Sequence, residues 1–296
     1  MKQFMLGLLI IALSVSIAGS SLAEESQSIG LHGVGNAREL GGYSVSGGRT
    51  VKHGVFLRTA ALHGATSADI SRLQDDYHLS VVADLRLTFE RNAVPDPEIP
   101  GAKNIHLPIF DEKAMMEIQQ KYIDEHGVKI NLSDKIETLK LAVNSGILTD
   151  HLYIDLLSGS QGKESYGRMF REILALPEGK SFLFHCTQGK DRTGIAAMLI
   201  LSALGADEDT IMADYMLTNA FNAKLIESER EMLTARGISG DDLDRFMKAM
   251  DEVDPQYMIN ALNWLKENYS SVTGYITKGL GVTEEQLDTL RARFLE

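Results

Sequence analysis

The 296-residue chain has one cysteine, one tryptophan and six prolines, and its 29 basic residues are outnumbered by 41 acidic ones, for a formal net charge of −12. Each scarcity excludes something. A lone Cys186 rules out an intramolecular disulfide framework and any zinc cage built on cysteine. The acidic balance argues against nucleic acid as the main partner, because gripping a phosphate backbone needs a basic face. It leaves open a small anion held at a local positive site. The eight histidines are scattered, with no pair at ligand spacing on one helix, so neither a metal nor another cofactor is expected. Internal repeats and low-complexity tracts are lacking as well. What is present is a mixed composition, 44% hydrophobic and 24% charged, which suits a globular chain with a sizeable core.

The N-terminus has a separate pattern. Lys2 supplies a positive start, Phe4 to Ala18 is an apolar run broken only by Gly7, Ser14 and Ser16, and Ser21-Leu22-Ala23 offers small residues at a cleavage site. This is the layout of a secretory signal peptide, too short for a spanning helix. Residues 1–23 are therefore expected to be removed, leaving 24–296 as one domain that is periplasmic or secreted, with no stable membrane span. In an exported protein a single thiol is either buried and inert or kept for its reactivity.

Beyond the leader, strands and helices alternate. Residues 54–58 read as a strand, Ser67 caps a helix to about Tyr77, Leu79–Asp84 is a buried strand, and residues 103–109 form another. Residues 112–176 are amphipathic and helical, with Ser133 as a cap and a break at Gly159 to Gly162; the stretch 112–160 stands as an insertion. Ser181–His185 is a compact strand, followed by a helix from Ile195 to Leu204 that Gly205 closes, and residues 207–296 are helical. The pattern is α/β, a central sheet flanked by helices with a helical C-terminal part.

Chemistry concentrates in His185-Cys-Thr-Gln-Gly-Lys-Asp-Arg-Thr-Gly194. A strand enters, a helix leaves, and the loop between them can aim its backbone N–H groups at one point. The helix adds the positive end of its dipole there. Gly189 permits a tight turn. Arg192 can make a bidentate pair with two phosphate oxygens. The same surroundings favour Cys186 as thiolate, so nucleophile and phosphate cradle coincide. Attack of sulfur on phosphorus and hydrolysis of a phosphocysteine follow as the expected reaction.

This stretch resembles the His-Cys-x5-Arg-Ser/Thr signature of the cysteine-dependent phosphatases, and its Gly-Lys-Asp-Arg-Thr-Gly form is similar to the bacterial tyrosine/serine phosphatase family of the mycobacterial phosphatase B type. Gly35-Asn-Ala-Arg-Glu-Leu-Gly-Gly-Tyr43 resembles that family's Asn-x-Arg-Asp-Leu-Gly-Gly motif, with Glu39 in place of Asp, and Val82-Ala-Asp-Leu-Arg86 its Asp-Leu-Arg turn. The resemblance implies a cysteine-phosphatase fold over residues 29–296. It implies Cys186 as nucleophile, Arg192 as phosphate clamp, and His185, Thr187, Gln188, Gly189 and Thr193 around the substrate, with Arg38 lining the pocket. Three carboxylates compete as general acid: Asp111, after a Pro-x-x segment like that of dual-specificity phosphatases; Asp191, a position proposed for this role in the family; and Asp84, at a neighbouring strand end.

Lys190 resembles the second cation of lipid-active phosphatases. It suggests phosphoinositides or inositol phosphates beside phosphotyrosine or phosphoserine proteins, the alternative being that it only offsets Asp191. The insertion is a candidate lid over the thiolate. A rhodanese-like sulfur transferase and a non-catalytic phosphate-binding module are the competing readings. Oligomeric state is not legible.

Overall fold

The computed structural model describes residues 27–131 and 134–296. The leader and Ser133 lie outside the described residues. Among those described, no helix is long and apolar enough to cross a membrane.

Among the described residues, seven strands form two sheets: β1 (Arg38–Glu39), β2 (Ser44–Val45), β3 (Arg49–Thr50), β4 (Phe56–Thr59), β5 (Leu79–Asp84), β6 (Lys103–His106) and β7 (Ser181–His185). The main sheet runs β1-β4-β7-β5-β6, and β2 pairs with β3 beside it. β4, β7, β5 and β6 are parallel, and β1 joins the edge antiparallel. Every residue of β7 is buried, as a central parallel strand covered on both faces requires. Phe182 and Phe184 face the larger core, whereas Leu183 faces the smaller one with Leu73 and Leu57. Helix Asp191–Leu204 covers the larger face, buried from Thr193 to Leu204, and Gly205 ends it in a left-handed turn at φ 96°. Burying each large aliphatic side chain there stabilises by about 2 kcal/mol, which makes this helix a rigid base for the loop that precedes it.

The parallel strands end at one edge. His185 is in register with Thr59 and with Asp84, and Asp84 with His106. Loops after all four strands therefore meet there, where open α/β sheets bind ligands.

Most boundaries fall near those expected, and the departures have local causes. Thr66, not Ser67, caps helix Ser67–Asp75, because Thr66 and Asp69 complete a reciprocal capping box. β6 stops at His106, before Pro108. Asp134 caps helix Lys135–Asn144. The expected break at 159–162 narrows to Gly159, between helices Leu152–Ser158 and Ser160–Leu174. Gly162 lies inside the second helix, and it is glycine because a Cβ there would sit 2.1 Å from the Leu156 carbonyl oxygen. Residues 112–158 hold helices Glu112–His126, Lys135–Asn144 and Leu152–Ser158. The second of these packs on helices Ala223–Ala235 and Asp241–Met250 through Ile136, Leu139, Leu233 and Phe246, a small core apart from the main one.

Gly162→Ala should lower stability by about 2 kcal/mol through this backbone clash. Thermal unfolding checks it, and an unchanged midpoint would contradict the close approach.

Candidate active site

Helix Asp191–Leu204 begins four residues earlier than its apolar run suggests, so Asp191, Arg192 and Thr193 form its first turn. The loop from Cys186 to Lys190 joins β7 to this turn, and each of its carbonyls is engaged. The Cys186 oxygen lies 3.2 Å from His185 Nδ1. Thr187 O accepts from Ala61 N at 3.0 Å and Lys190 O from Gly194 N at 2.8 Å. Asn36 Nδ2 donates to Gln188 O at 3.1 Å and to Gly189 O at 2.8 Å, and Arg58 Nη2 donates to Gly189 O at 2.8 Å. In a trans peptide the N–H opposes the C=O, so fixing these carbonyls outward turns the amides of residues 187–191 the other way, into the loop. That is an anion nest. Gly189 has φ 66°, and a Cβ on it would lie 2.6 Å from Thr59 O, so only glycine fits.

The anchors are themselves held by a buried cluster. Arg38 and Arg58 are fully buried around Asp214. Arg38 Nε lies 3.1 Å from Asp214 Oδ1 and its Nη2 donates to Asp214 O and Thr218 Oγ1, while Arg58 Nη1 pairs with Asp214 Oδ2. Arg38 also donates to Asn36 Oδ1, and Asn36 holds a left-handed φ of 53° that asparagine tolerates better than most residues. Burial would raise the Asp214 carboxyl, but Arg58 and Arg38 hold it below its usual range. Burial, then repulsion from Arg58, brings Arg38 down to about 10. Arg38 is thus part of the scaffold, not the pocket lining expected. Glu39 does not position it: Glu39 accepts from Gly54 N at 2.6 Å and pairs with His53, so the extra methylene there leaves Arg38 undisturbed.

Arg192 points into the site with its side chain 12% exposed. Its partner is Glu90, in helix Thr88–Ala93, which sequence reasoning missed. Nη1 and Nη2 meet the two carboxylate oxygens at 2.5 and 3.0 Å, and Thr187 Oγ1 donates to Glu90 Oε1 at 2.5 Å. Burial would raise Glu90, but Arg192 holds it down. The Phe110 ring lies 6.0 Å from the guanidinium carbon. Cys186 is buried, and Thr193 Oγ1 is buried without a hydrogen-bond partner among the described residues.

The three carboxylates now separate. Asp84 is bound by Arg86 at 2.9 and 2.8 Å and accepts from Arg86 N. Burial would raise it, but the Arg86 hydrogen bonds and the nearby His185 keep it below the usual range, so it stays ionised and does not suit the acid role expected of it. His185 Nε2 lies 3.3 Å from Asp96 and 3.9 Å from Asp84. These three offer ligand atoms within 4.8 Å of one another, but Arg86 already neutralises both carboxylates. Asp111 is exposed, and its Oδ1 caps helix Glu112–His126 through Lys113 N and Ala114 N. Asp191 accepts a 2.8 Å hydrogen bond from Tyr153.

Lys190 is the clearest correction. Its side chain is 2% exposed, and Nζ donates to the carbonyls of Lys248, Ala249 and Glu252 at 2.7, 3.3 and 3.1 Å. Three donors on three acceptors exhaust an ammonium, so it does not face substrate as a second cation. Its 3.5 Å pair with Asp191 fits the alternative reading. Gln188 likewise turns its side chain to Asp251, so only its backbone faces the loop. Of the missed residues, Asn36 stood inside a motif already singled out; Glu90, Asp96, Asp214 and Tyr153 carried no local signal.

Asp214→Asn should cost about 3–5 kcal/mol, since it leaves buried guanidinium charge uncompensated. Because Asp214 and Asp84 are held below their unfolded values, their stabilisation is present above the ordinary carboxylate range and lost as pH falls through the folded values. The midpoint of thermal unfolding should therefore drop between about pH 5 and pH 2, less steeply in Asp214→Asn. Equal slopes would contradict the cluster's role.

Residues 29–296 match the model of a tyrosine phosphatase family. The chain is 27% identical over 256 residues to a Cupriavidus necator protein that carries a provisional tyrosine-protein phosphatase name, covering 86% of this chain and 84% of that one. It is 25% identical over 252 residues to the triple specificity protein phosphatase PtpB of Mycobacterium tuberculosis, covering 77% and 89%. It is 26% identical over 243 residues to a tyrosine-protein phosphatase of Nostoc commune, covering 80% and 73%. A nest of five inward amides beside a buried cysteine and a half-buried arginine agrees with that match: the chain belongs to the tyrosine phosphatase family.

Proposed function

We propose that the protein hydrolyses phosphate monoesters, phosphotyrosine foremost, through a phosphocysteine on Cys186. The outward pinning of carbonyls 186–190 carries this reading, because it surrounds one point with N–H donors. Cys186 Sγ attacks phosphorus, the bond from phosphorus to the ester oxygen breaks, and Asp191 gives that oxygen a proton. Water then attacks the phosphocysteine, Asp191 takes a proton back, and phosphate leaves as the thiolate returns. The amides of Thr187, Gln188, Gly189, Lys190 and Asp191 hold the equatorial oxygens with Arg192, whose guanidinium Glu90 fixes through both Nη atoms, which leaves Nε–H, unpaired among the described residues, for phosphate. His185 supports the loop through the Cys186 carbonyl, and the Thr193 hydroxyl, buried next to Arg192 in the chain, is left without a partner among the described residues. Asp191 is preferred to Asp111 because Asp111 is exposed and committed to a helix cap.

With Lys190 spent on three carbonyls, no second cation in the loop argues for an inositol polyphosphate, which makes phosphotyrosine the leading class. The name of the mycobacterial relative supports testing phosphoserine, phosphothreonine and phosphoinositide esters beside it. The leader pattern supports action outside the cytoplasm, in the periplasm or medium; N-terminal sequencing of the mature protein tests it, and an intact Met1 would oppose it. Within the insertion only the first helix supports a lid: helix Glu112–His126 buries none of its residues, exposes Met116 and Ile118, and follows Phe110 beside Arg192, whereas helix Leu152–Ser158 is packed into the main core.

Cys186→Ser should abolish turnover, and Arg192→Ala should cut kcat/KM by about a thousandfold or more. Rapid quench of the wild type followed by mass spectrometry should find phosphate on Cys186. Turnover in Cys186→Ser, or phosphate on another residue, would reject the mechanism. A thiosulfate-to-cyanide assay should give no sulfur transfer, and activity should persist in EDTA.

A further inference from the structure

We infer that Tyr153 is a positioning residue for Asp191: its phenol, backed by Tyr215, fixes one carboxylate oxygen and leaves the other to exchange the proton with the leaving group. The inference rests on the reading of Asp191 as general acid. Tyr153 belongs to helix Leu152–Ser158, far in sequence from the phosphate loop, and is fully buried. Its ring stands edge-on to Tyr215 at 5.9 Å and to Tyr257 at 5.7 Å, so it cannot swing. A buried phenol needs a partner for its hydroxyl. Tyr153 donates to Asp191 Oδ1 at 2.8 Å, lies 2.9 Å from the Tyr215 hydroxyl, and Tyr215 reaches the Asp254 carbonyl at 3.2 Å.

Proton counting gives this chain a direction. Four oxygens make three contacts, and the two phenols supply two protons. With Asp191 ionised, both can run toward it, from Tyr215 to Tyr153 and from Tyr153 to Oδ1. The contact left without a proton is then the longest, to Asp254. With Asp191 protonated, Tyr215 turns its proton to Asp254 and no heavy atom moves. Both phenols keep their protons, since burial first and the Asp191 charge next push them upward. The Lys190 ammonium also falls on Oδ1, at 3.5 Å, so Oδ2 is the oxygen left to carry the proton. Arg192 adjoins Asp191 in the chain, and Tyr166 and Tyr257 interact with its charge at longer range; none replaces the Tyr153 contact.

The test compares Tyr153→Phe with the wild type on phenyl phosphate, a poor leaving group, and p-nitrophenyl phosphate, a good one. kcat/KM, which reports only the step that forms the phosphocysteine, should fall about tenfold on the first and at most about twofold on the second. A hydrogen bond donated to the ionised carboxylate favours it, so its loss should move the alkaline limb of kcat/KM to higher pH. In an Asp191→Asn background, Tyr153→Phe should do nothing further. Equal losses on both esters with an unmoved limb, or an added loss on Asp191→Asn, would overturn the inference and leave Tyr153 a packing residue. Wild-type rates on phenyl phosphate in Asp191→Asn would instead remove the acid assignment itself. If Tyr153→Phe does not fold, Tyr215→Phe substitutes, with a smaller shift of the same limb expected and an unmoved limb overturning the chain.

Discussion

The orientation of five peptide groups underlies everything else at this site. A loop of free peptides would turn its carbonyls toward the positive helix end as readily as its amides, and would repel phosphate. Here the carbonyls of residues 186–190 are taken up from outside, by His185, Ala61, Asn36, Arg58 and Gly194, which commits the opposing N–H groups to the interior. Two of these anchors, Asn36 and Arg58, are locked around buried Asp214. Such a cluster is costly to desolvate, and its pairing offsets that cost only when complete. Its return is rigidity: a cradle that need not reorganise when charge develops on phosphate.

Much of this was legible in the sequence because the loop is local. Strand, cysteine, glycine, arginine and helix follow one another in ten residues, and the apolar runs of Ser181–His185 and residues 195–204 place them on a sheet edge. What the sequence could not display is pairing across the chain. Glu90 meets Arg192 across 102 residues, and Asp214 meets Arg38 across 176. Such partners have no spacing to recognise. The misplaced helix start has a simpler origin: Asp191 to Gly194 are polar or small, so hydrophobic periodicity could not see the first turn that carries the chemistry.

Lys190 shows how position in a motif can mislead about direction. Four residues after the cysteine of such a motif, a lysine suggests a cation for substrate. Its stem instead runs to the end of helix Asp241–Met250, where unsatisfied carbonyls are the better acceptors. The same loop is tied there a second time by Gln188 and Asp251. The cradle is therefore joined on one side to the sheet scaffold and on the other to helices that share a small core with Lys135–Asn144. Through Tyr153 it also contacts the inserted segment. The loop is thus fastened to the sheet scaffold, to the end of helix Asp241–Met250 and to helix Leu152–Ser158.

Where the loop amides aim decides whether this site can hold phosphate, and a crystal structure with orthovanadate bound tests it. It should place vanadium on Cys186 Sγ, with equatorial oxygens within hydrogen-bond distance of the N–H groups of residues 187–191 and of the Arg192 guanidinium. Vanadate seated elsewhere, or a loop whose carbonyls line the anion, would contradict it.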